Sequence, residues 1–275
     1  MTLSQPDPQW QSTLLARATQ PPPRPRVPLV WAEHLIGSVE DDFFDPLLQQ
    51  SASPAAQWLQ REVTNAGPRW RLLGEATQTL AELALALREA GVGRVAQQWR
   101  DELLTVSDAQ GRGLGVVERG LVRPLGISTR AVHLVGLTRG GRHWVQQRAF
   151  NKAHDPGRWD TLMGGMVSAH DSLESALERE TWEEAGLRLQ ALEDLRYGGK
   201  VALRKPSADG PDDGYVVEDV DWFVAIVPDG MTPLNQDGEV VQFLSLDRTE
   251  LLARLERDEF TTEAALILLA LLREP

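Results

Sequence analysis

Over residues 164–187 the chain reads GGMVSAHDSLESALERETWEEAGL, and three of its acids, Glu180, Glu183 and Glu184, crowd the end of one helical pattern. At about 100° per residue, Leu173, Ala176, Leu177, Glu180 and Glu184 share one stripe, with Glu183 at its edge. The stripe that should meet the core therefore turns acidic. Carboxylates placed there repel one another and lose hydration, so without compensation some must take up protons. A divalent cation resolves the conflict. Oxygen ligands suit Mg²⁺ or Mn²⁺, and Mg²⁺ keeps several waters while bridging protein carboxylates to substrate phosphates. The competing reading, a solvated acidic face, is weakened because Ser175 and Glu178 already occupy the outward side. Trp182 also points outward and is expected to pack under the N-terminal region, with the partner subunit of a homodimer as the other cover.

A helix over 172–185 must carry these acids. Asp171 with Glu174 three residues on forms a capping-box pattern, and Gly186 suits a left-handed stop. Arg148, Lys152 and Arg158 surround the approach to the glycine pair Gly164 and Gly165 and are candidates to hold a distal phosphate, against a reading as surface charge. His154 and His170 read as loop residues, and Trp159 and Trp222 as core residues that could otherwise stack on a planar ring. The turn-rich, acidic segment 205–215 reads as an exposed insertion or a lid.

The expected architecture has two domains, 1–127 and 128–275. The first is a smaller α+β helper domain with a proline-rich arm over 20–28, too rich in Pro for a helix or a central strand. It continues with an apolar segment (LVWAEHLIGSV), a helix over 77–90 that turns Leu80, Leu83, Ala84 and Leu87 to one face, and a hairpin of ELLTV and LGVVE. The second starts near Ser128 with strand-like AVHLVGL and HWVQQ joined by TRGGR. It adds the acidic helix, three further strand-like segments and helices over 249–256 and 262–272, the order of a layered α/β domain.

The chain has 275 residues with 28 Lys plus Arg against 40 Asp plus Glu, a net charge of -12, and a pI near 4.9. That balance opposes nucleic-acid binding, in which Lys and Arg displace counterions from phosphates. With no cysteine, disulfides, thiolate zinc sites and thiol nucleophiles are excluded. The first residues lack a basic segment and an apolar core of signal-peptide length, and no apolar run approaches a membrane span. A cytoplasmic, soluble protein is expected.

These residues resemble the Nudix hydrolase family, whose signature is Gx5Ex7REUxEExGU with U a bulky aliphatic residue. Gly165, Arg179, Glu180, Glu183, Glu184, Gly186 and Leu187 fall in register, while Asp171 replaces the first glutamate and Thr181 the aliphatic residue before the EE pair. The resemblance implies an α/β/α Nudix sandwich and hydrolysis of a diphosphate linkage in a small organic or nucleotide-type substrate. It implies metal binding by Glu180 and Glu184 with Glu183 in support, orientation of the cluster by Arg179, and close approach of the Gly164 and Gly165 backbone to metal or phosphate. Glu239 matches a later-strand position that often supplies an extra ligand or the general base. A narrower likeness, carried by 151–187, NQDGEVVQF, DEFTTEAAL and WRDELLTV, is to the branch related to the Nudix domain fused to thiamin pyrophosphokinase. It implies a thiamin diphosphate-like substrate. The alternatives are a non-catalytic Nudix-derived ligand sensor and an ADP-ribose or dinucleotide pyrophosphatase. An isopentenyl diphosphate isomerase, which shares the fold, uses a cysteine that is missing here.

Overall fold

The computed structural model describes residues 6–50, 55–207 and 214–273. The chain enters with a helix that the sequence pattern did not announce, α1 (Pro8–Ala18), started by the Asp7 carboxylate accepting the Gln9 N–H at 2.7 Å. Strands β1 (Arg26–Trp31) and β2 (His34–Glu40) form a hairpin. The short helices α2 (Asp45–Leu48) and α3 (Ala55–Trp58) precede a second hairpin, β3 (Leu59–Thr64) and β4 (Gly67–Leu72). Together they make a four-stranded sheet in the order β2-β1-β4-β3. The end of the expected proline arm, Pro28, thus lies in an inner strand. It is tolerated because β1 pairs with β4 only from Leu29 onward, leaving Pro28 a neighbour on one side alone.

Helix α4 (Ala76–Ala90) has the expected bounds to within a residue. The Glu75 carboxylate caps it through the Thr77 and Gln78 N–H groups, and Gly91, at φ 67°, ends it. It buries Leu80, Leu83, Ala84 and Leu87 in a core with Phe44 and Trp70, whose rings meet edge to face at 5.2 Å. After α5 (Val95–Gln98), β5 (Leu103–Ser107) and β6 (Gly113–Glu118) form the expected antiparallel hairpin.

The larger sheet follows. Its strands are β7 (Ser128–Leu137), β8 (His143–Arg148), the short β9 (Trp159–Asp160) and β10 (Met163–Met166), then, after helix α6 (Leu173–Ala185), β11 (Glu193–Pro206), β12 (Tyr215–Ile226) and β13 (Val240–Leu246). The order is β11-β12-β7-β8-β13, with β10 on β7 and β9 on β8. Alternation along β7 separates two cores. Ala131 and Val135 face helices α7 (Arg248–Glu256) and α8 (Thr262–Leu272), whereas Val132 and Leu134 face α6. The α/β/α sandwich and the mixed α+β region before it are both present. Helix α1 joins the core on the α7/α8 side: Leu14 and Ala18 are buried with α8, and α1 also meets β11.

Trp159 and Trp222 are core residues, 6% and 2% exposed. Trp182 is 37% exposed; its cover is the Arg188 guanidinium, 3.7 Å from the ring centre, and not the N-terminal region. Of the segment 205–215, residues 208–213 lie outside the described residues, while Pro206 closes β11 and Tyr215 opens β12. Among the described residues no helix is long and apolar enough to cross a membrane.

His143, at the start of β8, is 7% exposed. Burial, aided by the nearby Arg248 cation, pushes its imidazole down to about 4. The unfolded chain then binds a proton that the folded chain refuses between about pH 6.5 and pH 4, so stability is full above that window and falls as pH drops through it. Comparing urea unfolding at pH 7 and pH 4.5, wild type is expected to lose about 2 kcal/mol more than His143→Gln. Parallel losses in the two proteins would contradict the assignment.

Candidate active site

The acidic helix α6 begins one residue later than its capping-box pattern implied. Ser172, not Asp171, is the cap: its hydroxyl accepts the Ser175 N–H at 3.1 Å from an extended backbone. Asp171 is thereby released for another use. It accepts from Arg179 Nη2 at 2.8 Å and Nε at 3.0 Å. At the other end Gly186, at φ 64°, donates to the Trp182 carbonyl at 2.8 Å and stops the helix where expected.

Arg179 is the hub of the cluster. Beyond Asp171 it donates from Nη1 to Glu180 at 2.9 Å and to Glu183 at 3.0 Å. Its planar fork of five donors allows one side chain to fix three carboxylates at once, which a lysine could not do with the same directionality. Partial burial works against the Asp171 charge, but Arg179 outweighs it and holds that carboxyl below its usual range.

Glu184 is held differently. It is 3% exposed, and one oxygen accepts both the Gly164 N–H at 2.9 Å and the Gln146 side-chain amide at 2.8 Å. Strand β10 thus serves two close approaches on opposite sides. A Cβ on Gly165 would stand 2.1 Å from the Glu180 carboxyl carbon, and one on Gly164 would stand 2.3 Å from the His133 ring. Only glycines fit there. His133, buried on β7, is anchored by Thr161 Oγ1 at 2.9 Å from its Nδ1. Burial holds its imidazole below the usual value, against the pull of Asp160.

Burial pushes Glu180 up to about 7, opposed by Arg179. Burial and then the Glu180 charge push Glu184 up to about 8, opposed by the Gly164 and Gln146 hydrogen bonds. The buried Glu184 and the part-buried Glu180 share too little positive charge to stay ionised together. The donor set is all oxygen, which suits a hard divalent cation. Among the described residues no three acid or histidine side chains converge tightly enough to enclose an ion by themselves. The residues fit a cation that keeps water and shares its shell with a substrate phosphate, the habit of Mg²⁺.

Lys152 pairs with Glu239, which stands half-exposed before β13, and the Lys152 charge is felt by Glu184. Two residues assigned separately from sequence, one to phosphate and one to catalysis, are therefore a single ion pair beside the acidic cluster. Arg148 reaches Asp160 at 3.5 Å and the His154 carbonyl at 3.2 Å. Arg158 is not brought to the glycine pair; it donates to the carbonyls of Asp258 and Phe260 at 2.8 and 2.9 Å and secures the segment before α8. Thr181, which departs from the aliphatic pattern, is fully buried and satisfies its hydroxyl on the Leu177 carbonyl at 2.6 Å. Gln146 and His133 were missed from sequence. Their only signal is a polar residue at an inward strand position, which a satisfied core residue shares.

The NUDIX domain family model matches residues 128–265. The chain is 37% identical over 87 residues to an uncharacterized Nudix hydrolase, PA4841, of Pseudomonas aeruginosa, a match covering 32% of this chain and 52% of that one, so the chain spans about half the length of this relative. It is 29% identical over 163 residues to an isopentenyl-diphosphate Delta-isomerase of Streptomyces avermitilis, covering 58% and 78% respectively. A solved structure, DR0079 from Deinococcus radiodurans, is 21% identical with a TM-score of 0.49, covering 62% of this chain and 97% of that one. With the family model spanning the sheet, the glycine pair and the acidic helix, the chain belongs to the NUDIX domain family.

Proposed function

We propose that this protein hydrolyses a diphosphate linkage in a small organic molecule, using Mg²⁺ or Mn²⁺ held by Glu180 and Glu184 with Glu183 in support. The observation that carries this reading is the undercompensated pair of carboxylates, Glu184 buried and Glu180 part-buried, set against the Gly164–Gly165 backbone. The cation, when bound, supplies neutralisation of the diphosphate charge and stabilisation of the leaving phosphate.

The chain's own groups do the rest. Arg179 fixes Glu180 and Glu183; Gln146 and the Gly164 N–H fix Glu184. An arriving phosphate competes with Glu239 for Lys152. Release from that ion pair leaves the Glu239 carboxylate free to take the proton of the attacking water. Arg148 is tied to the loop that also carries Lys152, through the His154 carbonyl at 3.2 Å.

On substrate, the thiamin diphosphate-like reading rests on the motif likeness in 151–187 and WRDELLTV together with a helper region before the Nudix fold. ADP-ribose or a dinucleotide is the second substrate reading. A ligand sensor is disfavoured because the whole Arg179 cluster is intact. Isomerisation is disfavoured because the chain has no cysteine. The test is a screen in Mg²⁺ over thiamin diphosphate and its oxidised forms, ADP-ribose, dinucleotides and nucleoside triphosphates, with products identified by mass. Cleavage between the two phosphorus atoms, abolished by EDTA and restored by Mg²⁺, is expected for at least one compound. If none is cleaved, the sensor reading replaces this one.

A further inference from the structure

Between β12 and β13 the chain crosses the end of the acidic helix and returns to the site with Glu239. The last four carbonyls of a helix have no partner within it. Two of those of α6 are taken by the crossing segment: the Leu234 N–H donates to the Ala185 carbonyl at 2.8 Å and the Gln236 N–H to the Glu183 carbonyl at 3.0 Å. The Leu234 side chain is 69% exposed, so backbone pairing, and not burial of that side chain, holds the segment here. Gly186 makes room for it, since a Cβ there would stand 2.5 Å from the Leu234 carbonyl oxygen. Asn235, the residue between the two donors, is thus fixed against the helix that carries Glu180, Glu183 and Glu184.

Asn235 uses both ends of its amide. Its Oδ1 accepts the Asp237 N–H at 3.2 Å and the Gly238 N–H at 3.3 Å, and its Nδ2 donates to the Val240 carbonyl at 3.0 Å. These bonds fall on the two residues before Glu239 and on the one after it. Glu239 is pinned by its own backbone as well: its N–H donates to Asp237 Oδ1 at 2.8 Å, and its carbonyl accepts the Ala149 N–H at 2.9 Å. Gly238, at φ 86°, lets the turn close. Asparagine suits this task because it carries an acceptor and a donor on one planar group. An ionised aspartate would keep the two accepted bonds but turn a second acceptor on the Val240 carbonyl.

We propose that Asn235 is a positioning residue for Glu239: its side chain ties the turn 235–240 to the end of α6, so that the half-exposed Glu239 carboxylate keeps a fixed place beside Lys152 and the metal-holding glutamates. A surface turn without such ties samples many positions, and a base that does so is less often in the productive one. The inference rests on the reading of Glu239 as the general base, whereas the tethering of the turn does not depend on it.

The test makes two measurements on the full chain. Hydrogen exchange followed by mass spectrometry, without metal or substrate, reads the turn itself. In Asn235→Ala the amides of 237–239 are expected to exchange about tenfold faster than in wild type, with those of α6 unchanged, and Asn235→Asp should fall between the two. Steady-state hydrolysis in Mg²⁺, with thiamin diphosphate and ADP-ribose as probes, reads the consequence. Asn235→Ala should lower kcat about tenfold and leave KM within about threefold, and in a Glu239→Gln background it should lower kcat no further. A residue that merely stabilised the fold would cost the same in both backgrounds. The proposal is overturned if exchange at 237–239 is unchanged in Asn235→Ala, or if the loss of kcat persists undiminished beside Glu239→Gln. Faster exchange in Asn235→Ala together with a fully active Glu239→Gln enzyme would remove Glu239 as the base and leave the tether standing. If neither probe is cleaved, the diphosphate-hydrolase reading is what fails, and the exchange measurement alone decides whether Asn235 holds the turn.

Discussion

Glu184→Gln is expected to lower kcat/KM for diphosphate hydrolysis by about a thousandfold, the scale on which single preorganised electrostatic groups act. The Gln side chain has the same shape, so packing is preserved. Its amide oxygen can still accept both the Gly164 N–H and the Gln146 amide, which lie 2.9 and 2.8 Å from one carboxylate oxygen. Circular dichroism and the thermal midpoint should therefore match wild type. A cation, however, loses a charged oxygen at the most deeply buried position of the cluster, and a neutral amide is a poor substitute for a hard ion. Turnover by a well-folded variant at a tenth of the wild-type rate or better would remove Glu184 from the metal-holding role.

Gly165→Ala is the second large effect, and it tests geometry without touching any charge. The added Cβ would stand 2.1 Å from the Glu180 carboxyl carbon, closer than any relaxed contact, so either β10 or Glu180 must move. The Glu180 carboxylate is the softer of the two, but it is held by Arg179 at 2.9 Å, and Arg179 also holds Asp171 and Glu183. Displacing one displaces the set. A misplacement of about 1 Å at a catalytic constellation costs on the order of a hundredfold in rate, and that loss is expected in kcat/KM. A Gly165→Ala enzyme with wild-type kcat/KM would show that Glu180 does not need its present position. Gly164→Ala serves as the comparison, because its Cβ is aimed at the His133 ring and not at a carboxylate.

The acidic helix was legible in the sequence because its signals are local. The spacing of Leu173, Ala176, Leu177, Glu180 and Glu184 fixes a face by helical periodicity alone, and Gly186 marks its end by backbone conformation alone. The start was less legible. Asp171 and Ser172 are both competent caps, and which one serves depends on Arg179, two turns further on, claiming the aspartate. Helix α1 escaped for a related reason: its burial depends on α8, more than 200 residues later, so neither strong periodicity nor a neighbouring element marks it. Pro28 shows the converse. A rule against proline in inner strands is correct, but pairing that begins at the next residue avoids it.

The sequence by itself determined the chemistry at stake: two acids on an inward helix face, a third at its edge, a glycine pair before them, no thiol available and oxygen the donor. That much is set because helical spacing and side-chain type are properties of a short stretch of chain. Only the tertiary structure decided which groups act together. It joined Lys152 to Glu239, set Gln146 and the Gly164 N–H on Glu184, and turned Arg158 to the segment before α8. These partners are tens to more than a hundred residues apart, and their meeting is fixed by strand register and the packing of two cores, which no local pattern of residues encodes.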